Sequence, residues 1–303
     1  MTLLCGVLDA VRRTPAVALI VVAIISVQGG SSLASILVRD HAPITIVAVR
    51  LLLAAAVLWT FRRPSGSGAS PGAIRRAILL GIVIAAMNTL FYGALQRLPL
   101  GVVVTIEFWG PLAVAVAGSR RLVDLAWVAM AGAGIGILSG GRLATDDALG
   151  LVLAFAAGGG WALFILLGGR VSRDWPGARG LAISTAVAAA IVVPAALLAG
   201  GLSAFTADPS VLALGVGVAV FASVVPWSLE LVAMGRMASG TYGILMSLEP
   251  AVAAVLGAVL LAQGLPPEEL VAVGLVVAAS IGASRAATAG RAAPPVVPGE
   301  LEL

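Results

Sequence analysis

Two stretches decide the fold: RLPLGVVVTIEFWGPLAVAVAG (Arg97–Gly118) and RMASGTYGILMSLEPAVAAVLG (Arg236–Gly257). At a constant offset of 139, Arg97 meets Arg236, Gly101 meets Gly240, Pro111 meets Pro250 and Gly118 meets Gly257. Each stretch then runs into a ladder of small residues. The first ladder is Gly132, Gly136 and Gly140; the second is Gly274, Ala278 and Gly282. A spacing of four keeps these on one helix face, where small residues let backbones approach closely. Gly29-Gly30 and Gly159-Gly160 align more weakly in the same sense.

Working outward from this pair, the chain divides into ten apolar stretches, each near the ~20 residues that cross a bilayer. They lie at about 16–38, 43–61, 77–96, 99–118, 123–140, 148–169, 179–199, 210–234, 238–261 and 267–284. Short links carrying Pro, Gly, Asp or Arg separate most of them. PSGSGASPG (Pro64–Gly72) reads as a flexible loop, and the Pro-rich stretch from Arg285 as a disordered tail. Each repeat unit therefore holds five spans. Five is odd, so the second copy enters the membrane upside down. The expected fold is an all-α polytopic membrane protein of ten transmembrane helices in two inverted five-helix repeats. The repeats occupy 1–142 and 143–284, and a cytoplasmic tail follows at 285–303. Inverted repeats are typical of secondary transporters, whose substrate site lies at the repeat interface near the midplane.

Composition agrees. The chain has 303 residues, of which 60% are apolar before its 37 glycines are counted, and only 11% are charged. Soluble domains carry about 25% charged residues. A water-soluble fold cannot hide so much apolar surface. Soluble enzymes, disordered chains and disulfide scaffolds are excluded. The net charge is +4 and every basic residue except His41 is arginine. A basic balance can signal nucleic acid, but these arginines sit between apolar runs and set topology instead. Cys5 is the sole cysteine and His41 the sole histidine, so neither a disulfide nor a metal centre is expected. No cofactor is implied.

With the N-terminus inside, the inner segments hold Arg12, Arg13, Arg62, Arg63, Arg75, Arg76, Arg120, Arg121, Arg170, Arg173, Arg179, Arg236, Arg285 and Arg291. The outer ones hold Arg39, Arg97 and Arg142. The positive-inside rule then puts both termini in the cytoplasm. The apolar run after Arg13 is too long for a signal peptide, and reads as a retained first span.

Four charged residues lie well inside spans, away from their ends: Arg50, Glu107, Glu230 and Glu249. An ionised side chain at the bilayer centre costs roughly 2.5–3.5 kcal/mol on insertion scales. These four should therefore face the protein interior or a wet cavity. Glu107 and Glu249 lie near mid-span, whereas Glu230 is expected near the inner end of its span, within reach of interfacial water. Glu249 can carry a proton, bind the ammonium of a substrate, or pair with Arg50. Glu107 has the same choices. Arg50 can hold the carboxylates in place or meet a substrate carboxylate.

Pro111 and Pro250 sit inside their helices and free the carbonyls four residues back, those of Glu107 and Met246. Each proline is a candidate hinge or a static kink. Asn88 and Tyr92 share a helix face, as do Ser223, Trp227 and Glu230. Gln28 lies in the first span, and Trp109, Thr241, Tyr242 and Ser247 flank the two mid-span acids. Trp59 and Trp127, near span ends, read as interfacial anchors. No Walker loop, HExxH or GxSxG is present, so no catalytic role is expected.

Several motifs also carry a family resemblance. SVQGGSSLA (Ser26–Ala34), IEFWGPLAVAV (Ile106–Val116), SRRLVDLAWV (Ser119–Val128), PWSLELVAMGRM (Pro226–Met237) and GILMSLEPAVAAV (Gly243–Val255) are the residues concerned. With the paired prolines, they resemble the drug/metabolite transporter superfamily with two EamA-type domains, in its threonine/homoserine exporter branch. The resemblance implies efflux of small amino acids across the bacterial inner membrane, by exchange with protons and alternating access. The partners expected are the amino acid, protons and lipid. The substrate and proton site is expected among Glu249, Glu107, Arg50, Asn88, Tyr92, Ser247, Trp227, Glu230 and Gln28. Efflux of drugs or another metabolite is the alternative, with Trp109, Trp161 and Trp227 stacking a flat cation. The glycine ladders can pack helices within one chain or between the two chains of a homodimer.

Overall fold

The structure, a computed structural model, describes residues 13–37, 41–61, 69–98, 103, 106–118, 122–138, 147–175, 179–199, 209–246, 248–249, 252 and 267–289. Among the described residues the fold is helical throughout, with no strand. The helices are α1 (Ala16–Leu37), α2 (Pro43–Phe61), α3 (Pro71–Leu95), α4 (Trp109–Gly118), α5 (Leu122–Leu138) and α6 (Ala148–Asp174). There follow α7 (Arg179–Leu198), α8 (Pro209–Ala219), a π-helical turn at Val220–Val224, α9 (Val225–Met234), α10 (Ser239–Met246) and α11 (Pro267–Ala289). Five stretches are long and apolar enough to cross a membrane: Pro43–Thr60, Pro71–Ala94, Ala148–Asp174, Arg179–Leu198 and Pro209–Met234. The protein is a multi-pass membrane protein.

Helix starts follow local chemistry. Ser70 caps α3, its hydroxyl accepting from the Ala73 N–H at 3.2 Å, and Pro71 takes a first-turn position where no N–H is needed. The expected loop at 64–72 therefore ends two residues early. Asp147 caps α6 by accepting from the Gly150 N–H at 2.7 Å. At the other end of the chain α11 continues to Ala289, past the residue where the tail was expected to begin.

Each long helix buries one face and leaves large apolar side chains on the other. Ile25, Leu52, Ile78, Ile82, Val152, Phe155, Leu163 and Ile191 are all exposed. Lipid tails solvate such a face at no cost. Inside, α3 packs on α6 and α7, α2 on α7, α4 on α10, α5 on α11, and α1 on α8, α9 and the π turn. The α3–α6 pair is tied at both ends. Arg76 near the start of α3 pairs with Asp174 at the end of α6. Arg97 just beyond α3 pairs with the cap residue Asp147 at 3.0 Å.

Glycine permits the tightest crossings. A Cβ on Gly110 would run into the Gly158 carbonyl, and one on Gly243 into the Pro111 carbonyl. Gly30 lets α1 lie against the backbone of Ala222, and Gly160 lets α6 lie against Met87. The ladders behave differently. A Cβ on Gly136 or Gly274 would meet open space, while Gly282 forms the slot that receives the Trp127 indole. Trp127 is thus a packing residue between α5 and α11 rather than an interfacial anchor.

Gly158 and Gly159 make a paired test of this crossing. A Cβ on Gly158 would lie 2.7 Å from the Glu107 carbonyl, whereas one on Gly159 has 3.6 Å to Trp109. Gly158→Ala should cost about 1–3 kcal/mol of overpacking, read as a clear fall in Tm in detergent. Gly159→Ala should leave Tm within error of the parent protein.

Candidate functional site

The site begins with interruptions in helices. Pro226 has no N–H, so the Ala222 carbonyl four residues back lacks its α-helical donor. The chain answers with the π turn at Val220–Val224, whose last bond runs from the Val225 N–H to the Val220 carbonyl. Such π turns are frequent at functional sites. Arg50, from α2, supplies the missing donor: its Nη2 donates to the Ala222 carbonyl at 3.0 Å. Its Nε donates to the Ser223 hydroxyl, and its guanidinium lies over the Trp227 ring, 5.0 Å from the centroid. Arg50 is therefore fastened to the π turn. Among the described residues it makes no ion pair within 4.0 Å, so the expected direct pairing with Glu107 or Glu249 is not what holds it.

A second interruption lies at Phe108, before α4. Pro111 is not in a helix interior as expected: it falls in the first turn of α4, where it is buried with its carbonyl against Gly243 of α10. The Glu107 carbonyl that it frees abuts Gly158, and the Trp109 indole N–H donates to the Phe155 carbonyl at 2.9 Å. Pro250 and Ser247 lie outside the described residues.

Between these interruptions is a cavity of about 150 Å³. Three carboxyl groups reach it, from Glu107, Glu230 and Glu249, and one guanidinium, from Arg50. Asn88 and Tyr92 line it from one face of α3, as their spacing predicts. Trp227, Trp161, Phe91 and Phe164 form much of the apolar wall. Gln28 donates from Nε2 to Glu249 Oε1 at 3.4 Å. The Asn88 amide donates to the Ile84 carbonyl of its own helix at 2.8 Å, which leaves its oxygen available. The chamber is thus lined by both charged and aromatic side chains.

The expected site residues that are described thus come together, with two corrections. Glu230 is not near interfacial water: it is 4% exposed and shares the cavity with the other two acids. Trp109 does not flank the acids in the chamber. It is 38% exposed, with its indole tied to α6, so a stacking trio of Trp109, Trp161 and Trp227 is not formed. Met87, Phe91 and Phe164 line the chamber and were not anticipated. An apolar side chain facing a cavity reads in sequence like one facing the core.

Membrane-spanning helices closed around one charged chamber are the build of a small-molecule transporter. The chain belongs to the EamA-like transporter family, which matches residues 148–285. It is 38% identical over 280 residues to the threonine/homoserine exporter RhtA of Escherichia coli (strain K12), covering 91% of this chain and 94% of that protein. It is 36% identical over 267 residues to RhtA of Salmonella typhimurium (strain LT2), covering 88% and 90%. A solved crystal structure superposes with a TM-score of 0.75 over 90% of this chain and 98% of its own, at 18% identity, which shows a shared fold. These curated relatives are exporters, not enzymes.

The Arg50 fastening can be tested by itself. Arg50→Met should leave the Ala222 carbonyl without its donor, at about 1–3 kcal/mol for a buried unsatisfied acceptor. Ser223→Ala, which leaves that carbonyl bonded, should cost less. Thermal unfolding in detergent should rank Arg50→Met below Ser223→Ala and both below the parent protein.

Proposed function

We propose that this chain exports small zwitterionic amino acids of the threonine and homoserine type across the cytoplasmic membrane, by exchange for protons. The observation that carries this reading is the convergence of three carboxyl groups and one guanidinium on a small chamber inside an apolar bundle. The relatives named as threonine/homoserine exporters support the substrate class.

A zwitterion needs both signs of charge. The ammonium group would meet Glu249 or Glu107. The carboxylate would meet Arg50, whose bonds to described residues engage Nε and Nη2. The Asn88 oxygen and Tyr92 hydroxyl would receive or donate to the side-chain hydroxyl. Proton and ammonium favour the same carboxylate, so each displaces the other. That competition gives exchange with no further device.

Ten spans in two inverted five-helix halves, with alternating access, are part of this proposal. The packing supports it: α2 with α7, α4 with α10 and α5 with α11 are each partners at the same place in the two halves. The end contacts support it too. Arg97 holds the start of α6 through Asp147, and Arg236, its equivalent at the offset of 139, donates from Nη1 to the Thr14 carbonyl just before α1 at 3.0 Å. Inverted halves would put these two contacts on opposite sides of the membrane, where each can part in turn. Pro111 and Pro250 would serve as hinges. Both termini face the cytoplasm in this reading, and the glycine ladders offer a face for a homodimer.

Asp147 is not the pH-sensing group. Its carboxyl is held below the usual carboxylate range by the Gly150 N–H, with help from Arg97. A lowered value keeps the contact intact above the ordinary value of about 3.9 and releases it only as pH falls further.

Inverted vesicles with an imposed proton gradient test the proposal. Labelled threonine should accumulate in the parent protein, and Glu249→Gln should cut gradient-driven uptake at least tenfold. Asp147→Asn should leave the shape of the rate profile between pH 5 and 8 unchanged. Uptake that survives Glu249→Gln intact would remove that carboxylate from the mechanism.

A further inference from the structure

A guanidinium is planar and holds its five N–H groups in a fixed fork. Its side edge, Nε with the near N–H of Nη2, presents two parallel donors that match a carboxylate. So does its end edge, Nη1 with the far N–H of Nη2. In Arg50 the side edge is spent: Nε donates to the Ser223 hydroxyl and Nη2 to the Ala222 carbonyl. One face lies over the Trp227 ring, 5.0 Å from its centroid. Three contacts thus fix the plane and the heading of the group. Ser223 is fully buried and stands outside the chamber wall, so the bonded edge is turned into the protein. The end edge is what Arg50 has left to present to the chamber that it lines.

Glu107, Glu230 and Glu249 line the same chamber. Yet among the described residues no carboxyl group forms an ion pair with Arg50 within 4.0 Å. The protein's own acids leave the end edge to a carboxylate that arrives from outside. We infer that this edge receives the α-carboxylate of the substrate through two parallel hydrogen bonds, and that Ser223 is the positioning residue that holds it at that heading. This rests on the amino-acid export reading above and narrows its substrate class to molecules with a free carboxylate.

Threoninamide has the shape of threonine, with an NH2 in place of one carboxylate oxygen. That NH2 would meet an N–H of Arg50 donor against donor, and the attraction of opposite charges would be lost. A site made to hydrogen-bond one group rejects the analogue that leaves its own polar groups unpaired. Lysine cannot take the place of Arg50 here. Its ammonium is a point charge without a planar fork, and it cannot serve Ser223, Ala222 and a carboxylate at fixed angles.

Counterflow of tracer threonine in proteoliposomes tests this, with unlabelled threonine and threoninamide as competitors. In the parent protein, half-inhibition should need at least tenfold more threoninamide than threonine. Ser223→Ala should raise the threonine concentration required at least fivefold and leave that of threoninamide within twofold, because Ser223 acts through Arg50 and touches no substrate. Arg50→Lys should narrow the preference in the same way. Threoninamide competing as well as threonine in the parent protein would overturn the carboxylate fork and leave export standing. Equal weakening of both competitors in folded Ser223→Ala, or of neither, would overturn the positioning role. A preference kept intact in Arg50→Lys would mean that charge alone suffices, and would overturn the fork. A parent protein that exchanges no threonine would overturn the export reading itself, and this inference with it.

Discussion

Ionised side chains do not dissolve in hydrocarbon. Each costs roughly 2.5–3.5 kcal/mol at the centre of a bilayer, and this chain carries four well inside its apolar stretches. That constraint orders the rest of the structure. The helices must leave a chamber for Arg50, Glu107, Glu230 and Glu249 while turning their apolar faces outward to lipid. Three acids to one guanidinium also leave the chamber short of positive charge. Under the proposed exchange, a proton or a substrate ammonium makes up that shortfall.

The chamber depends on backbone that departs from the regular α-helix. Pro226 strips one donor from the helix that carries Glu230, the π turn takes up the difference, and Arg50 bonds the carbonyl left over. Pro111 frees the carbonyl of Glu107, which Gly158 lets α6 pass closely. At both places the exposed backbone group is turned into the protein, as it must be where no water reaches. The interruptions also let the polar side chains converge.

Much of this can be read directly from the residues. Apolar run lengths locate the helices, with α1, α2 and α7 within a residue or so of the expected bounds. A spacing of four puts Asn88 with Tyr92 on a common face, a spacing of three does the same for Trp227 and Glu230, and all four line the chamber. What could not be read has physical reasons. Counting along the span places Glu230 near its end, but its surroundings are set by the neighbouring helices, which bury it against the chamber. Trp127 sits near a span end, which usually means an interface. Its slot is made by Gly282, far along the chain, and an absent side chain announces nothing about what fills it. Trp109 adjoins the acids in sequence, but its indole turns away to cap a carbonyl on α6. Proximity in sequence fixes the backbone, whereas the partner across the helix pair fixes where a side chain points.

The central claim is that proton and ammonium compete for the same carboxyl groups. Purified protein in weakly buffered detergent, with a pH indicator in the solution and heat measured in parallel, tests it directly. Adding threonine near neutral pH should release protons in step with the binding heat, and the release should vanish in Glu249→Gln. Binding heat from threonine with no proton release would contradict the account.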